Sequence, residues 1–360
     1  MQIRRLHIRN FRSHDSLELK FSKNIICITG NNGCGKTTVL DAIYYLCLCK
    51  SYFNPTDHQI IKIGQDRFRL TGEISKNKST YDIDCLVELG KQKVFKIDNA
   101  KYDKLSEHIG KFPLVIVAPI DHYLISGSSE ERRKFIDGII VQYDNEYLQD
   151  LLAYNRILSQ RNALLKQFAR EEKTDMVLIQ TINEQLIPFG MAIHKKRKQF
   201  IKELQPVFNE YYDSITDKSE AVTLEYSSQL EESEFAELLI NALDKDRILQ
   251  RTTVGIHKDD LSFEIMSKPI NRFGSQGQQK SFLLSLKLAQ WAILNDKTGI
   301  TPILLLDDLF DKLDKKRIDA FVNIIQEKQF EQIFITDTDL ARIENIMKNF
   351  KQDFQSIALN

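Results

Sequence analysis

Glycine and proline are scarce in this chain, 14 and 7 among 360 residues, which excludes collagen-like, linker-dominated and low-complexity architectures. No run approaches the roughly 18 uncharged apolar residues that a membrane span needs. The start, Met1-Gln2-Ile3-Arg4-Arg5-Leu6, lacks the apolar core of a secretion signal. The expectation is a cytoplasmic protein with no membrane partner. Cysteines are few and odd in number: Cys27, Cys34, Cys47, Cys49 and Cys85, all in the first quarter and without C-x-x-C spacing. That pattern argues against a disulfide framework or a thiolate metal site. Neither sign of charge is in excess, with 50 basic against 50 acidic residues. Nothing global therefore attracts nucleic acid, and any such contact must come from local patches. What remains is an ordered chain, 42 % hydrophobic, long enough for a full core and two or three lobes.

The most informative segment present is Gly30-Asn31-Asn32-Gly33-Cys34-Gly35-Lys36-Thr37, which fits G-x-x-x-x-G-K-[ST]. Apolar Ile25-Ile26-Cys27-Ile28 precedes it and Thr38-Val39-Leu40-Asp41-Ala42-Ile43 follows, so the order reads strand, glycine loop, helix. Such a loop gathers backbone N–H groups on phosphate oxygens at a helix N-terminus, whose partial positive charge favours an anion. Lys36 is placed to reach the terminal phosphates, and the Thr37 hydroxyl to join the shell of Mg²⁺. A nucleotide such as ATP is the expected ligand.

Up to about residue 115 the chain reads as β-rich. Leu17, Leu19 and Phe21 alternate with polar residues, and Phe68-Arg69-Leu70, Tyr81 to Leu89 and Val94 to Ile97 repeat the habit. From about Glu130 the period changes. Leu151, Leu158 and Leu165 recur every seven residues, with Leu148, Asn155, Asn162 and Ala169 as companions. After a charged break at Arg170-Glu171-Glu172-Lys173 comes the series Ile179, Ile182, Leu186, Phe189, Ile193, Phe200, Leu204 and Val207. Two long helices folding back on each other are predicted, as a helical lobe or a short coiled-coil arm. Beyond residue 250, Ile303-Leu304-Leu305-Leu306 and Gln332-Ile333-Phe334-Ile335-Thr336 are continuous apolar runs, the habit of a parallel sheet covered on both faces. The predicted division is residues 1–120 and 251–360 as two halves of one head, with residues 121–250 inserted between them.

Ile303 to Leu306 ends in Asp307-Asp308, the Walker B form. Asp307 is the expected metal-side acid and Asp308 the group that orients or deprotonates the attacking water. Phe273-Gly274-Ser275-Gln276-Gly277-Gln278-Gln279-Lys280 precedes a helical pattern. By itself it reads as a turn and cap, yet it could equally form a second phosphate cradle.

Phosphate loop, Ser-Gln-Gly-Gln-Gln, apolar strand with Asp-Asp, then Asp311-Lys312-Leu313-Asp314 resembles the motif order of ABC-type ATPases of the SMC kind. Three further segments resemble the RecF family of bacterial recombination mediators: Asn10-Phe11-Arg12, Ser128 to Asp137, and Gly255-Ile256-His257-Lys258-Asp259-Asp260-Leu261. The resemblance implies an α/β ABC-type head, with a P-loop sheet and a β-rich N-terminal subdomain, carrying a helical lid or short coiled coil. It implies head-to-tail dimerisation around two ATP molecules, with Ser275, Gly277 and Gln278 of one protomer on the nucleotide held by Gly30 to Thr38 and Arg12 of the other. Asp314 is implied near that interface. Implied too are binding to gapped DNA, to single-strand to double-strand junctions and to single-stranded DNA. Cooperation with RecR, RecO and RecA, a nucleoid-associated location and weak DNA-dependent ATP hydrolysis complete the set. Basic runs available for DNA are His194-Lys195-Lys196-Arg197-Lys198, Arg4-Arg5 and Arg132-Arg133. Two departures from the wider ABC pattern put fast hydrolysis in doubt: Asp308 stands where most such ATPases carry Glu, and no switch histidine follows Ile335. The Q-loop glutamine is left between Gln59 and Gln65. A transporter subunit, a long-armed SMC protein and a P-loop kinase each fit the spacing less well. A DNA clamp that binds ATP without appreciable turnover does not differ at this level.

Overall fold

The computed structural model describes residues 1–171, 175–216, 220–310, 314–328, 330–348 and 353–359. The chain divides into two compact units. The first comprises Met1–His122, Glu210–Ser219 and Gln276–Asn360, the second Tyr123–Asn209 and Glu220–Ser275.

The first unit is built around a parallel sheet in the order β14 (Phe354–Ala358), β3 (Ile25–Thr29), β13 (Ile333–Asp337), β12 (Ile303–Asp307), β8 (Leu114–Val117). Every residue of β3, β8, β12 and β13 is buried, as continuous apolar runs require when helices cover both faces. An antiparallel sheet lies in the same unit, in the order β2 (His14–Lys20), β1 (Gln2–Phe11), β4 (Arg67–Lys76), β5 (Ser79–Glu88), β6 (Val94–Ile97), β7 (Ala100–Lys101). Here one face is wet, and β4 and β5 alternate buried and exposed residues. Helix α1 (Lys36–Leu48) packs on strands of both sheets, so nearly all of it is buried. Gly72 in β4 makes the approach possible, because a Cβ there would come within 2.6 Å of Leu46 Cδ1. Phe11, Tyr45 and Phe68 close that layer edge to face.

The second unit begins with α2 (Tyr123–Ser126), α3 (Ser129–Ile140), α4 (Asn145–Glu171) and most of α5 (Met176–Thr216). It continues through β9 (Val222–Ser227), α6 (Phe235–Asn241), α7 (Leu243–Leu249), β10 (Asp260–Ile265), β11 (Lys268–Pro269) and α8 (Ile270–Phe273). Strands β11, β10 and β9 form a small antiparallel sheet that the sequence did not suggest, and α3 packs on β10. That pairing draws residues 251–275 into this unit, past the boundary expected at residue 250.

The two long helices are present, but the seam of α4 differs from the predicted one. Of the predicted row Leu165 is buried, but Leu151 and Leu158 are only half-buried, whereas Tyr147, Tyr154, Arg161 and Phe168, also seven apart, are buried. The polar ends of Tyr147, Tyr154 and Arg161 conceal the row from a hydrophobicity reading. Tyr147 Oη donates to Asp137, Tyr154 Oη bonds His257 Nδ1 at 2.9 Å, and Arg161 pairs with Asp246 at 2.6 Å. In α5 the row Ile179, Leu186, Ile193, Phe200 is buried as expected. Among the described residues no helix is long and apolar enough to cross a membrane. The first unit is completed by α9 (Gln276–Thr298), α10 (Lys315–Glu327) and α11 (Leu340–Met347).

Candidate functional site

The C-terminal ends of β3, β12 and β13 lie side by side, where ligands bind in open parallel sheets. Gly30 to Gly35 leave β3 there and lead into α1. Gly35 caps α1 at φ 96° without a side-chain acceptor, and the first turn carries no acidic residue. The N–H groups and partial positive charge of that terminus are therefore offered to an anion. Gly30 has no room for a side chain, since a Cβ would lie 2.4 Å from the Leu359 carbonyl oxygen and 2.7 Å from Cys34 Sγ. Lys36 is buried, with Nζ donating to the carbonyls of Gly30 (2.8 Å) and Asn31 (3.1 Å), so its ammonium is held over the loop.

Thr37 Oγ1 donates to both carboxylate oxygens of Asp307 at 3.0 Å. Two segments 270 residues apart thus meet as a hydroxyl and a carboxylate, oxygen donors of the kind that suits Mg²⁺. Asp307 also accepts from Thr336 Oγ1 at 2.8 Å. Burial pushes its carboxyl above the ordinary range, an effect the Thr336 and Thr37 hydroxyls oppose. Asp308, next along, has φ 46°, a left-handed conformation that a non-glycine residue adopts at a cost. Its N–H donates to Thr336 Oγ1 at 3.1 Å, and it remains half-exposed. The strand end therefore presents a buried acid and, turned off the sheet, a solvent-accessible one. In place of a switch histidine, β13 ends in buried Asp337, paired with Arg342 of α11 at 3.5 Å.

The turn between β1 and β2 braces this loop in a way the sequence did not reveal. Arg12 Nη1 donates to Asp41 Oδ2 at 3.1 Å, Ser13 Oγ bonds Thr38 Oγ1 at 3.0 Å, and His14 Nε2 bonds the Gly35 carbonyl at 3.2 Å. Asp41 lies wholly inside α1 and also accepts from Ser51 Oγ and from the Tyr52 N–H at 2.9 Å. Burial raises its carboxyl, and these donors together with Arg12 oppose the rise. Tyr52 Oη in turn donates to Asp121, whose carboxylate lies 2.7 Å from Lys287 Nζ of α9. Asp41, Ser51, Asp121 and Lys287 are all buried, so a continuous polar chain joins α1 to α9.

Ser275 immediately precedes α9 and is exposed; Gly277 and Gln278 lie in the first turn and are half-buried. A Cβ on Gly277 would meet the Arg317 guanidinium at 3.0 Å. Arg317 donates to Ser281 Oγ at 2.7 Å and pairs with Asp314, which caps α10 by accepting the Arg317 N–H. That N–H and guanidinium hold the Asp314 carboxyl below its ordinary range. Asp311, Lys312 and Leu313 lie outside the described residues. Of the glutamine candidates, Gln65 accepts from Asn10 at 3.2 Å and Gln59 is exposed.

Two of the basic runs offered as available for DNA are largely engaged within the fold. Arg197 is buried between Asp137 (3.0 Å) and Asp259 (2.9 Å), and Lys196 pairs with Asp144 and Glu146. Arg132 chelates Asp260, while Arg133 donates to the Asp259 carbonyl at 2.6 Å. Only Lys195 and Lys198 of residues 194–198 are exposed.

A parallel sheet with four wholly buried strands, a phosphate loop at the C-terminal end of β3 and an acid pair at the end of β12, across β13 from it, define an ABC-type ATPase head with a helical insertion. The description of the RecF/RecN/SMC N terminal domain matches residues 2–356. A protein of Flavobacterium johnsoniae called DNA replication and repair protein RecF is 47 % identical over 355 residues, 99 % of each chain. One of the same name from Parabacteroides distasonis is 44 % identical, covering 98 % of this chain and 96 % of its own. A solved structure of the recombination mediator protein RecF with ATP, in the RecFOR pathway, superposes with TM-score 0.87 at 29 % identity, over 94 % of this chain and 92 % of that one. An Smc head domain from Pyrococcus furiosus shares the fold, with TM-score 0.56 at 16 % identity over 99 % and 94 % of the two chains. The chain belongs to the RecF family.

Proposed function

We propose that this chain is an ATP-binding recombination mediator that dimerises on ATP, binds gapped DNA and strand junctions, and, with RecR and RecO, promotes loading of RecA. Its relatives' role in DNA replication and repair, and the ATP carried by a similar solved structure, support the assignment. The observation that carries it is the meeting of Thr37 with Asp307 beneath an uncapped helix N-terminus, a place for a triphosphate and its metal.

In this reading Lys36 and the N–H groups of Gly30 to Thr38 hold phosphate oxygens, with Arg12 close by. Thr37 and Asp307 would hold Mg²⁺, which supplies charge neutralisation at the β- and γ-oxygens. Asp308 orients and deprotonates the attacking water from its exposed position. A carboxylate one methylene shorter than glutamate reaches that water less well, which favours slow hydrolysis. Ser275, Gly277 and Gln278 of a second copy complete the site. Contacts made only with the triphosphate let binding favour the dimer and its loss release it.

Sedimentation with no nucleotide, ADP, ATP or a non-hydrolysable analogue, each with and without a gapped duplex, tests the reading. A dimer formed only with triphosphate and reinforced by DNA is expected; a monomer throughout, with ATP bound, would remove the shared site. Ser275→Arg is expected to leave ATP affinity of the monomer within about twofold while abolishing the dimer, because bulk and like charge enter the second cradle. Lost monomer binding would show that Ser275 serves its own protomer. Asp308→Asn is expected to preserve ATP binding and the dimer while lowering turnover about 100-fold, as removal of a general base does. Unchanged turnover measured by phosphate release would assign the base elsewhere and favour a clamp that uses ATP as a structural ligand.

A further inference from the structure

Helix α5 carries Lys195, Lys198, Gln199 and Lys202 on one exposed face, spaced three, four and seven residues apart so that they share a side of the helix. With Met191, Ala192 and His194 they line a groove of about 840 Å³. The basic run that begins at His194 is thus sorted by the fold. Arg197 and Lys196 are consumed by acids of the same unit, and the outward lysines are left on the groove. Lys198 shares its charge with Glu231 at 2.5 Å, so it counts for less. Lys195 and Lys202 make no ion pair among the described residues. In a chain of zero net charge, two unneutralised lysines on one groove wall are a local field rather than part of a general one.

The geometry points to this α5 groove as a seat for a phosphodiester backbone, with Lys195 and Lys202 as its phosphate contacts. Seven residues of helix set the two lysines about 10.5 Å apart along the axis, close to the rise of about three nucleotides of one strand. Lysine fits such a role as a mobile point charge that positions a backbone without reading bases. The inference rests on the proposed DNA-binding function and adds to it the surface that makes the contact.

The double variant Lys195→Gln/Lys202→Gln tests it, since glutamine keeps helix propensity and removes only charge. Binding of a fluorescently labelled gapped duplex is followed by anisotropy between 50 and 200 mM salt, with a non-hydrolysable ATP analogue present. Lys101→Gln/Lys104→Gln, equal in charge change and exposed in the other unit, is the control. Each lost phosphate contact on duplex DNA removes about 0.9 from the slope of log affinity against log salt. The expected result is a slope shallower by about 1.8 in the test variant and unchanged in the control. A slope equal to the parent's, or the same change in both variants, would overturn the assignment while leaving DNA binding in place. A parent chain that does not bind the duplex would overturn the DNA-binding reading itself.

Discussion

Lys36→Ala is expected to lower ATP affinity by about 100-fold or more and to abolish the ATP-dependent dimer in the same step. The ammonium is already held over the loop by the Gly30 and Asn31 carbonyls, so it meets a phosphate without a large rearrangement of its chain. A charge-assisted hydrogen bond is worth about 1.5–3 kcal/mol, and two such bonds to terminal phosphates account for about 3 kcal/mol, a factor of about 100. Calorimetric titration with ATP reads the first effect and sedimentation the second. A variant that binds ATP poorly yet still dimerises when ATP is added would break the link between the phosphate loop and assembly. Lys36→Arg serves as a companion: it keeps the charge, but its planar fork does not match a pocket shaped for a point donor, so affinity should still fall.

The second large effect concerns the inserted unit. Arg197→Met is expected to destabilise the chain by about 3–5 kcal/mol, the range found when one member of a buried ion pair is removed and its partners stay charged. Arg197 donates twice to Asp137 at 3.0 Å, to Asp259 at 2.9 Å and to the Ile256 carbonyl at 2.7 Å, and Tyr226 Oη donates to Asp259 at 2.5 Å. Removing it strands two carboxylates, and burial already holds the Asp259 carboxyl above its ordinary range. Denaturant unfolding of the full chain measures the loss, and Asp259→Asn on the Arg197→Met background should recover part of it. An unchanged midpoint would mean that Arg197 is dispensable to the unit. The molecules that remain folded should bind DNA with unaltered salt dependence, because this arginine faces inward.

How far the sequence could be read depended on whether a group's partners were close along the chain. Gly30 to Thr37 lie in one segment between a strand and a helix, so the loop was legible from pattern alone. Asp307 was legible because an apolar strand ending in acids is itself a local signal, although its contact with Thr37 spans 270 residues. Arg317 was not, since nothing in Lys315-Lys316-Arg317 distinguishes a residue that packs on Gly277 from a solvated one. Ser13 and His14 escaped notice for the same reason: a turn between two strands carries no mark of the helix it braces. Much of the α4 seam was misplaced because three of its buried positions are Tyr147, Tyr154 and Arg161, whose polar ends are satisfied by Asp137, His257 and Asp246 from elsewhere in the unit. Burial of such residues is decided by partners, and partners are what hydrophobic periodicity omits.

Strand β3, which delivers the phosphate loop, is hydrogen-bonded on one side to β13 and on the other to β14. Both neighbours are made about 300 residues later than β3 itself. At ribosomal rates of about 5–20 residues per second, the five residues of β3 leave the ribosome about 15–60 s before either partner exists. The N-terminal hairpin strands and α1 can assemble early, but the site around the phosphate loop cannot, because the strand that delivers it has no sheet to join. The order of synthesis thus makes the proposed ATP binding one of the last properties to arise, and a ribosome that stalls short of β13 releases a product with an unpaired, largely apolar strand, the kind of segment that invites edge-to-edge association.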